Sequence, residues 1–170
     1  MFKTLNKFGF HDKLINWIKE CVTSVSFSIL VNNGPTEMFV PRRGLRQGDS
    51  LFLFLFILCA KVLARKLQFE SNNNNPMGFP IVKDRITIPF LAFADDIIIF
   101  GKAQQAACQT IRNIIDDYCG ISGQCVNYHK SSFQTTAKVT NQTKMTINAI
   151  LNISYSISLD KYLCCPIKGK

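Results

Sequence analysis

The amino-acid sequence predicts an α+β fold in which helices pack on one face of an antiparallel sheet. Two observations lead to this class. Apolar residues recur at helical spacing in several segments, and between them lie short runs rich in Ile and Phe that end at Gly, Asn, Pro or Asp. The 170 residues, of which 47% are hydrophobic, suffice for one ordinary domain with a packed core.

The first fifth of the chain predicts an amphipathic helix followed by a β-hairpin. In "HDKLINWIKECVTS" the apolar residues fall at helical spacing, namely Leu14, Ile15, Trp17, Ile18, Cys21 and Val22. Apolar and other residues then alternate from Val25 to Val31. The sequence "NNGP", Asn32 to Pro35, carries turn residues and leads into "TEMFVP", so we expect the chain to reverse there.

A polar loop, "RRGLRQGD", is followed by a long helix that we expect to run from about Ser50 to Gln68. Its apolar stretch Leu51 to Ala60 is far shorter than the roughly 20 residues that span a bilayer, so it predicts a buried core helix. The segment "SNNNNP", residues 71–76, is typical of a surface loop.

In the second half, "ITIPFLAF" and "IIIFG" predict two strands with Asp95 and Asp96 at the tip between them. A second amphipathic helix is predicted by the apolar positions Ala107, Ile111, Ile114, Ile115 and Tyr118, and the glycines of "CGISG" end it. Beyond it we expect a short strand, a helix over about 140–151 and a terminal strand over about 162–167.

Asp95 and Asp96 interrupt the apolar run "FLAFADDIIIF", which holds no basic residue. Burying an ionised carboxylate costs several kcal/mol unless a partner or a metal compensates it, and a hard cation such as Mg²⁺ prefers carboxylate oxygens. A solvated acidic turn accounts for the same pair, since Asp is a favoured turn residue. Both interpretations remain open at this point.

The loop "PRRGLRQGDS" is a second candidate site. Arg42, Arg43 and Arg46 present guanidinium groups suited to phosphate, and Gly44 and Gly48 let a backbone approach a ligand closely. Gln47 can hydrogen-bond a base or sugar edge. An ordinary basic loop before a helix is the alternative.

Charge and cysteine content narrow the class of partner and compartment. Twenty Lys and Arg against eleven Asp and Glu give a net charge of +9, which favours nucleic acid or an acidic membrane surface as partner. Seven cysteines without a CxxC pair predict reduced, mostly core thiols and no structural zinc site. The start "MFKTLNKFGF" lacks a secretory apolar region, so we expect an intracellular, nuclear or cytoplasmic protein that is not secreted.

The two candidate sites together resemble the reverse transcriptase domain of non-LTR (LINE-type) retrotransposons, especially those of plants, in which an "RGLRQGDPLSP" segment precedes "FADD" by a similar distance. The similarity runs in order along the chain. "KFGFHDKLINWI" is similar to the helix before the palm hairpin, "SFSILVNNGPTEMFVPRRGLRQGDS" to motif B and "FLAFADDIIIF" to motif C. "DDYCGISGQCVNYHKSS" is similar to the region leading into motif D, and "KYLCCPIKG" to the primer grip.

This resemblance implies a polymerase palm-like fold and an RNA-directed DNA polymerase that uses an RNA template, a DNA primer, dNTPs and Mg²⁺, with Mn²⁺ as a possible substitute. It implies that Asp95 is a catalytic metal ligand with Asp96 as its acidic neighbour. Lys130 aligns with a lysine that protonates the leaving pyrophosphate, although an ordinary surface lysine fits the sequence too. The resemblance and the loop chemistry also assign Arg46, Gln47, Gly48 and Asp49 to the nucleotide and template site, and Tyr162 and Leu163 to the primer grip.

The sequence departs from the family pattern at several points. Ser50, Phe52 and Leu53 stand where the family has Pro and then Ser-Pro, and Cys164 replaces a glycine of the primer grip. The family's motif A, with its metal-binding Asp, would precede Met1, so we expect residues 1–170 to form a partial, inactive palm domain. A nucleic-acid-binding module without catalysis and a retroelement remnant without function are the alternatives.

Overall fold

The computed structural model describes residues 1–41, 48, 50–73, 77–82, 86–157, 159–162 and 165–167. Within these ranges the chain is a mixed α+β protein. The helices are α1 Phe2–Lys7, α2 Asp12–Thr23, α3 Ser50–Asn72, α4 Gln105–Ser122 and α5 Asn141–Leu151. The strands are β1 Leu30–Val31, β2 Gly34–Pro35, β3 Phe79–Val82, β4 Ile86–Ile88, β5 Phe90–Phe93, β6 Asp96–Ile99, β7 Ser132–Phe133, β8 Ser154–Tyr155, β9 Leu159–Tyr162 and β10 Cys165–Ile167.

The chain divides into two compact units, Met1–Val62 and Leu63–Lys170. In the first unit the helices α1, α2 and the start of α3 bury one small cluster, Leu5, Ile18 and Leu55. The predicted amphipathic helix is confirmed as α2, whose first turn is capped when the Lys13 backbone N–H donates to His11 Nδ1 at 3.2 Å.

The predicted hairpin is also confirmed. Val31 pairs with Gly34, so Asn32 and Asn33 form a two-residue turn, with φ of 50° and 65°. Positive φ at both central residues is the backbone that matches the twist of the flanking strands, and Asn adopts it more readily than most residues. A bridge between Phe27 and Phe39 continues the pairing.

The long helix is longer and less buried than the sequence predicts. It ends at Asn72 rather than near Gln68, and in the added turn Gln68 Nε2 donates to Asn72 Oδ1 at 2.9 Å, a pair that stabilises a helix. Leu55 is buried, but Leu53, Phe54 and Ile57 each expose more than half of their surface, at 59%, 66% and 53%. The expectation of a buried core helix is therefore wrong for this face.

The core of the second unit lies between the end of α3 and α4. Six buried residues form it: Leu63, Leu67, Met77, Ile111, Ile114 and Tyr118. The apolar positions predicted for α4 supply half of this cluster. The helix ends as predicted, since Gly123 takes a left-handed conformation with φ 74° and its N–H donates to the Cys119 carbonyl.

The strands of the described ranges pair as five two-stranded ladders, four antiparallel and one, β7 with β8, parallel. The single antiparallel sheet that the sequence predicted is not seen there. The predicted terminal strand over about 162–167 is instead two antiparallel strands, since Tyr162 pairs with Cys165.

Among the residues whose side chains the structure describes, five cysteines are free thiols, and their locations correct the expectation of mostly core residues. Cys108 is buried, Cys59 and Cys119 are partly buried, and Cys21 and Cys125 are exposed. Separately, no helix in the described part of the chain is long and apolar enough to cross a membrane.

Candidate active site

Asp95 and Asp96 lie at the tip of the β5–β6 hairpin, as predicted. Phe93 pairs with Asp96, so the turn consists of Ala94 and Asp95 alone. Ala94 has φ 51°, a left-handed conformation that costs an L-residue about 1–2 kcal/mol. Strained backbone of this kind persists where the surrounding structure holds it, and it concentrates at functional sites.

The base of this hairpin is anchored to the core of the second unit. Phe90 and Ile99 pack against the buried cluster of α3 and α4. Just beyond the strands, the Phe100 N–H donates to the Pro89 carbonyl at 2.9 Å, and the Gly78 N–H donates to the Phe100 carbonyl at 2.8 Å. The hairpin is therefore fixed at its base while its tip reaches solvent.

Both aspartates are exposed, and this corrects the premise that their burial needs compensation. The apolar flanks near the tip are exposed as well, with Phe93 at 59% and Ile97 at 42%. Among the described residues, neither carboxylate has a hydrogen-bond or ion-pair partner. Two neighbouring residues thus carry exposed carboxylates at the tip of a hairpin that is fixed at its base.

The donor set fits a hard divalent cation. Adjacent carboxylates supply oxygen ligands, and Mg²⁺ is usually held by one or two carboxylates together with waters and substrate phosphates. The described residues contain no group of three or more His, Cys, Asp or Glu placed to hold a metal. The metal-binding role of Asp95 and Asp96 therefore stays a prediction that rests on the chemistry of their carboxylates.

Lys130 lies in the same unit, in a turn that follows α4. Its backbone N–H donates to the Asn127 carbonyl at 3.1 Å and to Asn127 Oδ1 at 3.2 Å, while its side chain is exposed. Within the described residues, no hydrogen bond or ion pair joins Lys130 to Asp95 or Asp96.

Most of the other predicted site residues fall outside the described ranges: Arg46, Gln47, Asp49 and Leu163. Gly48 belongs to the first unit, is exposed and has φ 83°, and a Cβ there would meet no atom within 4 Å. A glycine at position 48 is therefore explained by the positive φ and not by close packing against another part of the protein. Tyr162 ends β9 opposite Cys165.

Ala94 is the residue of this site that sequence reasoning missed. Its small side chain, flanked by Phe93 and Asp95, gives no sign of positive φ, which Gly or Asn would have signalled. Only the hairpin register, which leaves two residues for the turn, requires it.

The comparison with known families identifies the family of the chain. Residues 1–150 match the sequence model of the reverse transcriptase (RNA-dependent DNA polymerase) family. The chain therefore belongs to the reverse transcriptase family, and the resemblance drawn from its motifs is confirmed.

Two curated proteins are similar to this chain. The retrovirus-related Pol polyprotein from the type-2 retrotransposable element R2DM of Drosophila melanogaster is 28% identical over 130 residues, which cover 76% of this chain and 11% of that protein. An uncharacterized mitochondrial protein of Arabidopsis thaliana is 37% identical over 67 residues, 39% of this chain and 55% of that protein. The chain thus spans about half of one relative and about a tenth of the other.

Proposed function

We propose that this chain carries the metal-binding tip of an RNA-directed DNA polymerase. In that reaction the 3′-hydroxyl of a DNA primer attacks the α-phosphorus of a dNTP that is paired to an RNA template. A new phosphodiester bond forms, the bond to the leaving phosphate breaks, and pyrophosphate departs. One observation carries the proposal: two adjacent, exposed carboxylates stand at an anchored hairpin tip in a chain of this family.

Asp95 and Asp96 would hold the divalent ion, Mg²⁺ or Mn²⁺, that members of this family use. Bound in a two-metal site, such ions activate the attacking oxygen and stabilise the leaving one. The protein's own contribution is to hold the two carboxylates in place. Because the hairpin is tied to the core through Phe90, Ile99 and Phe100, its carboxylates need little reorganisation when the substrate phosphates arrive.

The remaining assignments are proposed residue by residue. Lys130, exposed and cationic, would protonate the leaving pyrophosphate. The nucleotide and template contacts would come from Arg46, Gln47, Gly48 and Asp49, and the primer contacts from Tyr162 and Leu163. We further propose that residues 1–170 are part of one reverse transcriptase domain with a palm-like arrangement, which the α+β composition and the family match support.

Primer extension on an RNA template, with Mg²⁺ or Mn²⁺, tests the site. We expect Asp95→Asn to reduce whatever incorporation residues 1–170 support at least about a hundredfold, because even the residues that only orient metal ligands are worth tenfold to a hundredfold. Asp117→Asn is the matched control, since it makes the same chemical change at an exposed ion pair with Lys66.

Metal binding gives a readout that does not depend on turnover. Electron paramagnetic resonance should detect Mn²⁺ bound in the presence of dNTP by the unchanged chain and by Asp117→Asn, and a loss of bound Mn²⁺ in Asp95→Asn. Incorporation or Mn²⁺ binding that survives Asp95→Asn would refute the assignment.

A nucleic-acid-binding role without catalysis is the second candidate, favoured by the net charge of +9. Binding of this kind weakens steeply with salt because Lys and Arg displace counterions from phosphates. Salt-dependent RNA binding, together with neither extension nor Mn²⁺ binding, would select this function over the first.

A further inference from the structure

A second surface of the unit Leu63–Lys170 has the chemistry of a nucleic-acid contact. Residues 97–157 contain only two acids, Asp116 and Asp117, and each is in an ion pair. Asp116 Oδ2 lies 2.7 Å from Arg112 Nε, and Asp117 Oδ2 lies 2.9 Å from Lys66 Nζ. The lysines of this stretch are therefore not offset by any unpaired acid from within it.

One of these lysines, Lys144, lies over an aromatic ring where β7 and β8 meet α5. Phe133 pairs with Tyr155 in the parallel ladder, and their rings contact edge to face with centroids 5.6 Å apart. Lys144 of α5 places its Nζ 4.4 Å from the centroid of the Tyr155 ring, and residue Tyr155 is 38% exposed. Lys138 is exposed two residues before Thr140, the N-cap of α5.

The position of this cluster is fixed by the structure beneath it. Arg112 of α4 donates to the carbonyl of Leu151 at the end of α5, at 3.3 Å. Thr140 Oγ1 accepts the Thr143 N–H at the other end of the helix. An ammonium group already held over a ring has less side-chain freedom to lose when a phosphate binds.

We propose that Phe133, Lys138, Lys144 and Tyr155, here named the lysine–tyrosine surface, bind single-stranded nucleic acid. Lys138 and Lys144 contact phosphates, and the exposed part of the Tyr155 ring contacts a base. Cationic groups interleaved with aromatic rings are how proteins hold single strands without reading sequence. The choice of partner rests on the proposed function, but this contact is separate from the Asp95–Asp96 hairpin and requires no metal.

Fluorescence anisotropy of the full chain with labelled oligouridylate RNA, and with the matching DNA, tests the surface. We expect Tyr155→Leu to weaken binding about tenfold, because a stacked base contributes that much, whereas Tyr155→Phe keeps the ring and the affinity. Lys144→Ala should weaken binding several-fold and lower the slope of log K against log salt by about 0.7. Lys102→Ala, which removes the same charge from an exposed loop outside the surface, should have a smaller effect on both.

Several results would overturn the surface. Wild-type affinity in both Lys144→Ala and Tyr155→Leu would do so, as would an equal loss in Lys102→Ala. If polyglutamate competes as strongly as RNA does, Lys138 and Lys144 bind an acidic protein partner and not nucleic acid. A preference for RNA identifies a template strand and a preference for DNA a primer strand, and both results support the surface.

Asp95→Asn separates this inference from the proposed function. We expect that variant to bind the oligonucleotides as the unchanged chain does. If Lys144→Ala and Tyr155→Leu bind normally while extension still depends on Asp95, only the surface is wrong. If those two variants lose binding while no extension or Mn²⁺ binding depends on Asp95, only the catalytic proposal is wrong.

Discussion

Replacing Gly78 with alanine tests how the Asp95–Asp96 hairpin is held to the core. Gly78 has φ 98°, and its N–H donates to the Phe100 carbonyl just beyond β6. A Cβ at this position would overlap the Thr87 methyl group and would approach Ser71 Oγ to 3.2 Å and the Ile88 carbonyl to 3.3 Å. The residue therefore needs both an unusual φ and an empty space.

These two requirements set the expected loss of stability. Positive φ costs an alanine about 1–2 kcal/mol, and an extra methyl group in a filled space costs about 1–3 kcal/mol. Gly78→Ala should thus lower the free energy of unfolding by about 2–5 kcal/mol in urea titrations. Gly123→Ala is the matched control, since φ is 74° there and no atom lies within 4 Å of the added carbon. It should lose only the first contribution.

A double variant separates the two contributions. Thr87→Ser removes the methyl group that the added carbon at position 78 would overlap, so combining it with Gly78→Ala should recover about 1 kcal/mol or more of the lost stability, as coupled neighbours do in a mutant cycle. If Gly78→Ala costs no more than Gly123→Ala, or if Thr87→Ser recovers nothing, the close approach described between Gly78 and β4 is wrong.

Two further predictions concern the core and the thiols. Leu67 is 0% exposed, so Leu67→Ala should lower the free energy of unfolding by about 2–5 kcal/mol. Leu91 is 41% exposed, so Leu91→Ala should lower it much less. Equal losses in urea titrations would contradict the core assignment. Burial raises the pKa of the Cys108 thiol, so little of it is the reactive thiolate at mildly alkaline pH. Because the folded protein favours the protonated thiol, this contribution to the free energy of unfolding is present below the ordinary thiol pKa and is lost as pH rises above it. Mass spectrometry after N-ethylmaleimide treatment should find exposed Cys21 modified before Cys108, and the reverse order would refute this burial.

Local patterns predicted the elements that depend on local physics. The Asn32–Asn33 turn, the left-handed Gly123 and the apolar face of α4 each follow from residue type and spacing, and all are found. The pairing of strands depends instead on which distant segments meet. Short apolar runs such as "FPIV" and "ITI" carry no information on partner choice, so the expected continuous sheet did not follow from them.

The candidate site was likewise predictable from the sequence only in part. Two strands flanking "ADD" sufficed to place Asp95 and Asp96 at a hairpin tip, because a turn must join them. Sequence could not show that the flanks near the tip are exposed, since Phe93 and Ile97 have the composition of buried strands. The cost of burying carboxylates therefore singled out Asp95 and Asp96 through a wrong premise, and their role stays a prediction.

The exposure of that tip changes what the carboxylates need from the protein. An exposed pair has no burial cost to offset, so it does not require a metal to be stable, and its position must be explained by what it can bind. The strained Ala94 points the same way, because a solvated turn selected only for stability would favour Gly or Asn at a positive φ. Ala94→Gly should therefore raise the free energy of unfolding or leave it unchanged. If incorporation and Mn²⁺ binding fall in this variant while stability does not, the rigidity of the turn serves the metal site.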